Sequence, residues 1–296
     1  MTMLDYRNLR AVDSEAIRNS LYAGELSLSY ANDATQALRQ AVWTDLEAEL
    51  GATGPVREAQ FRLSEEEFFA VVGQLRKRFY TDTRFHRLVA AVLDAAGFDA
   101  GEHAFDPLRL RVVMHKGEEN PNARPIYYGH RDTWYGNSQS MITWWIPLHD
   151  VVPEETFEFF PDDYLRPVHN DSEVFDFDRW VADGQERRIG WQNRESGRIE
   201  RYPQLLEEPQ GRVVPVACSA GDLLLFSAQH LHRTRANQTG LTRFSIDFRT
   251  VHLDDDRQGR GAPNVDNRSN GSSLVQFVRM RRDKAGGSES GVSLHA

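Results

Sequence analysis

The stretch that decides the fold is Gly221-Asp222-Leu223-Leu224-Leu225-Phe226, followed by His230-Leu231-His232 and then by Arg243-Phe244-Ser245-Ile246-Asp247-Phe248-Arg249. It reads as a turn, a buried strand, a histidine at the strand's end, and an alternating strand. In the last strand Phe244, Ile246 and Phe248 leave one face, and Arg243, Ser245, Asp247 and Arg249 leave the other. Four polar side chains on an inner face need partners, because an unpaired buried charge is expensive.

The partners are sought upstream, at His130-Arg131-Asp132. Two residues apart on a strand, His130 and Asp132 share a face. Adding one distant histidine gives two imidazoles and one carboxylate, the facial set that suits non-haem Fe(II) and leaves one side of the ion open. His232 is the candidate for the third ligand, with His230 as its competitor on the same strand face.

Composition bounds the alternatives. With 296 residues, 40% hydrophobic and 27% charged, the chain is one large globular domain or one domain with helical additions. A net charge of −9 gives no nucleic-acid footprint. The single Cys218 forbids an internal disulfide. The polar run from Met1 to Arg10 is unlike a signal peptide, and no apolar run spans a bilayer. A cytoplasmic location is expected, and a homodimer is left open.

Three helices precede the strands. Asp33 is expected to cap a helix to about Leu50, with Leu38, Val42, Leu46 and Leu50 on one side. Ser64 to Glu67 is a capping-box pattern that opens a second helix to about Phe79. A third runs from Thr83 to Ala96 and ends at Gly97. From residue 105 the pattern is β-like: 108–115, 140–148, 156–160, 212–216 and 222–226. This order predicts a mainly β fold with helical additions, a double-stranded β-helix of the jelly-roll or cupin type with the N-terminal helices packed on one sheet. The expected division is a helical layer over 1–104, a core over 105–253 with a polar insertion at 161–210, and an irregular C-terminal segment over 254–296 whose end is disordered.

The spacing of these pieces resembles the 2-oxoglutarate/Fe(II)-dependent oxygenases, and most closely their phytanoyl-CoA dioxygenase-like branch. The matching residues are His130-Arg131-Asp132, Gly221 to Phe226, His232 with Asn237 five residues on, and Arg243-Phe244-Ser245 beginning eleven residues after His232. They cover roughly 105–250. The Asn237 spacing favours His232 over His230. The resemblance implies that His130, Asp132 and His232 hold Fe(II), that Arg243 grips the far carboxylate of 2-oxoglutarate, and that Ser245 adds a hydrogen bond. A guanidinium fork suits a carboxylate. Arg249 competes with Arg243 but sits about 20 Å of strand away, so its expected role is structural pairing, with Asp247 or another acid. Trp144 and Gln139 are expected beside the co-substrate, with Trp145, Thr143, Tyr127, Trp134 and Asn137 as further lining candidates.

The implied activity is oxidation of a small polar molecule with O2, such as an amino-acid derivative or a natural-product intermediate, while 2-oxoglutarate is decarboxylated to succinate. The presence of Asp132 favours hydroxylation, or another oxidation such as desaturation or ring formation, over halogenation. Two other classes compete: a cupin-like metal-binding or sensor protein without turnover, and a protein hydroxylase with an open groove.

Overall fold

The computed structural model describes residues 9, 12–121, 123–182 and 202–279. Three helices form where the apolar period places them, α2 (Asp33–Leu50), α3 (Glu65–Thr81) and α4 (Thr83–Ala95), and a short helix, α1 (Ser14–Tyr22), precedes them. Ser64 and Glu67 cap α3 reciprocally, as the pattern predicts. The cap of α2 is Asn32, one residue earlier than expected; its Oδ1 accepts the amides of Ala34 and Thr35. Leu38, Val42, Leu46 and Leu50 are all buried.

The strands are β1 (Ser27–Ser29), β2 (His103–Val113), β3 (Met141–Pro147), β4 (Phe157–Phe159), β5 (Val214–Pro215), β6 (Leu223–Ser227), β7 (His232–Thr234), β8 (Arg243–His252) and β9 (Val278–Arg279). They form an antiparallel sheet in the order β1-β6-β3-β8-β2-β9 and a smaller antiparallel sheet in the order β5-β4-β7. Together they are a two-sheet β-sandwich of the jelly-roll type. A bulge between Asp106 and Arg109 accommodates Pro107, which has no amide to donate.

Two apolar cores follow from strand alternation. On the outer face of the large sheet, Leu110, Ile142, Trp144, Leu225, Ile246 and Phe248 pack with the helical layer. On the inner face, Trp145, Leu224 and Phe226 meet Phe157, Phe159 and Val214 of the small sheet. Strand β6 is therefore buried on both sides, which explains its unbroken Leu-Leu-Leu-Phe sequence.

The C-terminal segment is largely irregular over its described part. It forms a short helix, α5 (Leu253–Arg257), runs along residues 131–139, and ends in β9 against β2. The expected disordered end falls on 280–296, outside the described residues, as does 183–201 of the insertion. Among the described residues no helix is long and apolar enough to cross a membrane.

Candidate metal centre

His130, Asp132 and His232 converge between the sheets, with one ligand atom of each lying within 4.8 Å of the others. The convergence is built by backbone pairing. His130 and His232, far apart in sequence, exchange both amide–carbonyl hydrogen bonds at 3.0 Å, so His130 adds a bridge to the free side of β7. Their rings lie 4.4 Å apart. The expected strand does not continue through Asp132, which opens a 3-10 turn, Asp132–Tyr135, closed by Gly136 at φ +71°. The carboxylate nevertheless reaches the histidine, with Oδ1 at 3.7 Å from Nε2 of His130.

Neighbouring groups fix which atoms face the centre. Nδ1 of His130 pairs with the Tyr128 carbonyl and Nδ1 of His232 with the His230 carbonyl, both at 2.9 Å. A carbonyl only accepts, so each Nδ1 carries the proton and each Nε2 keeps its lone pair for a metal. Burial, and then the nearby His130, pushes His232 down to about 4, so it is neutral at physiological pH. Burial alone would push the Asp132 carboxyl up. The Arg249 guanidinium and the two imidazoles outweigh it and hold the carboxyl well below the usual range. Oδ2 of Asp132 accepts from the Thr143 hydroxyl at 2.9 Å, and its carbonyl from the Asn137 amide at 2.7 Å. Oδ1 is left for a metal. His230 has no free nitrogen, since both ring nitrogens face backbone carbonyls, those of Ser227 and Gly24.

Arg243 lies on the same inner face. It is buried, and among the described residues its only side-chain hydrogen bond runs to the Ser245 hydroxyl at 2.7 Å. Its Nε has no partner, and among the described residues no carboxylate forms an ion pair with it. Burial pushes the guanidinium down to about 10, still cationic at neutral pH. The Tyr127 hydroxyl is also buried without a partner, and its ionisation is pushed up first by burial and also by Glu118, while the nearby Arg243 charge works the other way. Glu155 and Asp247 act on this guanidinium only from beyond ion-pair range, and a buried cation without an ion pair suits a carboxylate-binding cradle.

Trp144 does not line this face. It packs in the outer core, edge-on to Phe98 and stacked on Phe248, and donates to Thr250. Trp145 is the inner residue: its Nε1 donates to the Ser245 hydroxyl at 3.0 Å, and its ring lies 6.0 Å from the Arg243 guanidinium. The sequence carried the signal, because Thr143 between two apolar neighbours marks the inner phase of β3. Gln139 precedes β3, with its backbone pressed against Gly261 and its side-chain oxygen buried without a partner. Asn237 bonds the carbonyls of Val113 and Leu241, a structural role. Asp247 pairs with Arg111, and Arg249 lies between Asp106 at 3.3 Å and Asp132 at 3.7 Å.

The family model for phytanoyl-CoA dioxygenase (PhyH) matches residues 30–245, well over half of the chain. No curated protein matches the chain by sequence. Among solved structures, the non-haem monooxygenase ThoJ in its apo form is 14% identical, with 79% of this chain and 77% of that one covered, at a TM-score of 0.48. The non-haem alpha-ketoglutarate-dependent epimerase SnoN from nogalamycin biosynthesis is 18% identical, with 93% and 100% covered, at 0.42. EctD from S. alaskensis, with bound Fe, is 14% identical, with 91% of each chain covered, at 0.37. On the family match, the chain belongs to the phytanoyl-CoA dioxygenase (PhyH) family and is a 2-oxoglutarate-dependent non-haem iron oxygenase.

Proposed function

We propose that the chain hydroxylates a small polar molecule, an amino-acid derivative or natural-product intermediate, and that His130, Asp132 and His232 hold the iron while Arg243 and Ser245 hold the distal carboxylate of 2-oxoglutarate. The observation that carries this reading is the pairing of a three-donor cluster with a buried Arg243 that, among the described residues, bonds only the Ser245 hydroxyl and forms no ion pair. Iron and 2-oxoglutarate, when bound, supply the oxidant that inserts one oxygen atom of O2 into a C–H bond, the other leaving in succinate as carbon dioxide is released.

The protein's own groups set the conditions. Two neutral imidazoles and one carboxylate leave a single positive charge on a divalent ion and three open positions. Thr143 occupies Oδ2 and so favours one-oxygen ligation by Asp132. Arg243, bridged through Ser245 to Trp145, gives the co-substrate one orientation. The inner face of β2 and β8 carries Asp106, Arg109, Arg111, Asp247 and Arg249, a charged lining that suits a hydrophilic substrate better than a long acyl chain.

Anaerobic addition of Fe(II) and 2-oxoglutarate is expected to give the weak visible charge-transfer band of the chelate, and admission of air to release succinate. A folded protein that shows neither would be a binding or sensor module instead.

A further inference from the structure

The residue between the two upstream ligands is the most heavily bonded side chain near the centre. Arg131 is fully buried. It donates to both oxygens of Asp266 at 3.1 Å, to the Gln229 carbonyl at 2.7 Å, and to the carbonyls of Asp163 and Arg166 at 2.8 and 2.9 Å. Gln229 stands three residues before His232. One guanidinium therefore ties the loop that carries His130 and Asp132 to the chain that carries His232.

Asp266 is the anchor of this arrangement. Its carboxylate also accepts from the Trp134 indole at 2.9 Å and the Val168 amide at 3.1 Å. Around it, residues 262–273 follow the ligand loop step by step. The Ala262 amide donates to the Gln139 carbonyl, and the Ser269 hydroxyl accepts from the Gly136 amide. The Ser273 amide donates to the Gly136 carbonyl, and its hydroxyl to Asn137, which in turn holds the Asp132 carbonyl. The family match ends at residue 245, so this strap lies beyond it.

We propose that the C-terminal strap, acting through the Asp266–Arg131 pair, positions the metal ligands, so that metal affinity depends on residues that never touch the metal. A short 3-10 turn has few internal bonds to hold Asp132 at a fixed angle, and outer-shell partners of this kind are worth 10- to 100-fold in metal affinity. The inference rests on the reading of His130, Asp132 and His232 as the metal site.

The test is an anaerobic Fe(II) titration with 2-oxoglutarate, followed by the charge-transfer band, on wild type, Asp266→Asn and Val72→Ala. Asp266→Asn is nearly isosteric and keeps an acceptor for Trp134. The expected result is about tenfold or weaker binding with a shifted band in Asp266→Asn, and wild-type affinity and band in Val72→Ala, which loses packing in the distant helical layer. Equal affinity and an unshifted band in a folded Asp266→Asn would overturn the proposal. Wild-type protein that binds no metal would instead overturn the metal-site reading itself. Should Asp266→Asn fail to fold, hydrogen exchange on the wild type decides. Reciprocal coupling requires Ni(II) plus 2-oxoglutarate to slow exchange at the amides of residues 262–273, and unchanged exchange there would refute the strap's role.

Discussion

At the scale of single residues, an unpaired charge reports its purpose through the sign of a stability change. Removing one partner of a buried ion pair normally destabilises, because the other is left behind. Arg243 has no such partner among the described residues, and its Nε is an orphan. Arg243→Met is therefore expected to leave the melting temperature of the protein without ligands unchanged or raised. The same variant should raise KM for 2-oxoglutarate about 10- to 100-fold, the worth of a hydrogen-bonded charge pair. A large fall in stability would show that Arg243 is structural. Thr143→Val is the complementary case: it should weaken Fe(II) binding about tenfold and leave KM for 2-oxoglutarate little changed, by anaerobic titration and succinate assay. The polar row of β8 and the H-x-D pair were legible because side-chain chemistry and a period of two suffice to read them. Arg131 was not, since an arginine between two ligands gives no sign of whether it points to solvent or into the core. Arg249 pairs with an acid as its position suggests, but that acid is Asp106, because Asp247 is taken by Arg111.

At the scale of elements, the phase of β3 separates stability from function between two adjacent tryptophans. Trp144 is buried in the outer core against Phe98 and Phe248. Trp144→Ala should cost about 3–5 kcal/mol by chemical denaturation. Trp145→Phe keeps the ring but loses the bond to Ser245. About 1 kcal/mol is expected there, seen as a severalfold rise in KM for 2-oxoglutarate. If Trp145→Phe proved the more destabilising of the two, the assignment of faces would be wrong. The helices were readable almost to the residue because their apolar stripes, the capping box at Ser64 and the stop at Gly97 are local signals. The turn through Asp132 was not readable as a turn. His130 is held extended by pairing with His232, a contact distant in sequence, and the chain then bends at a glycine that strand periodicity ignores. The strap over 262–273 escaped for the same reason: its bonds to the ligand loop are nearly all backbone or short polar contacts, which leave no periodic trace.

At the scale of the whole molecule, the large sheet divides a helical core from an inner site, and two histidines outside the metal cluster, one buried and one half-buried, link its stability to pH. His103, beneath the helices, is pushed down to about 4 by burial. Its Nδ1 pairs with the Asp99 carbonyl while its Nε2 is buried without a partner, so protonation would bury an unpaired cation. His149 is pushed down to about 4 by burial and the nearby Arg57, and its Nε2 accepts the Phe244 amide at 3.0 Å, a bond that protonation would break. In the unfolded chain both take up a proton near pH 6.5. Between about pH 6.5 and 4 the unfolded state therefore binds more protons than the folded one, and stability falls as the pH drops through that window. Each histidine contributes up to about 1.4 kcal/mol per pH unit inside it. For the metal-free protein, the urea midpoint should move little between pH 8 and 7 and fall clearly between pH 6.5 and 5. His103→Asn, which cannot gain charge, should flatten part of that slope, whereas a midpoint independent of pH across the window would show that these imidazoles do not stay neutral in the folded chain.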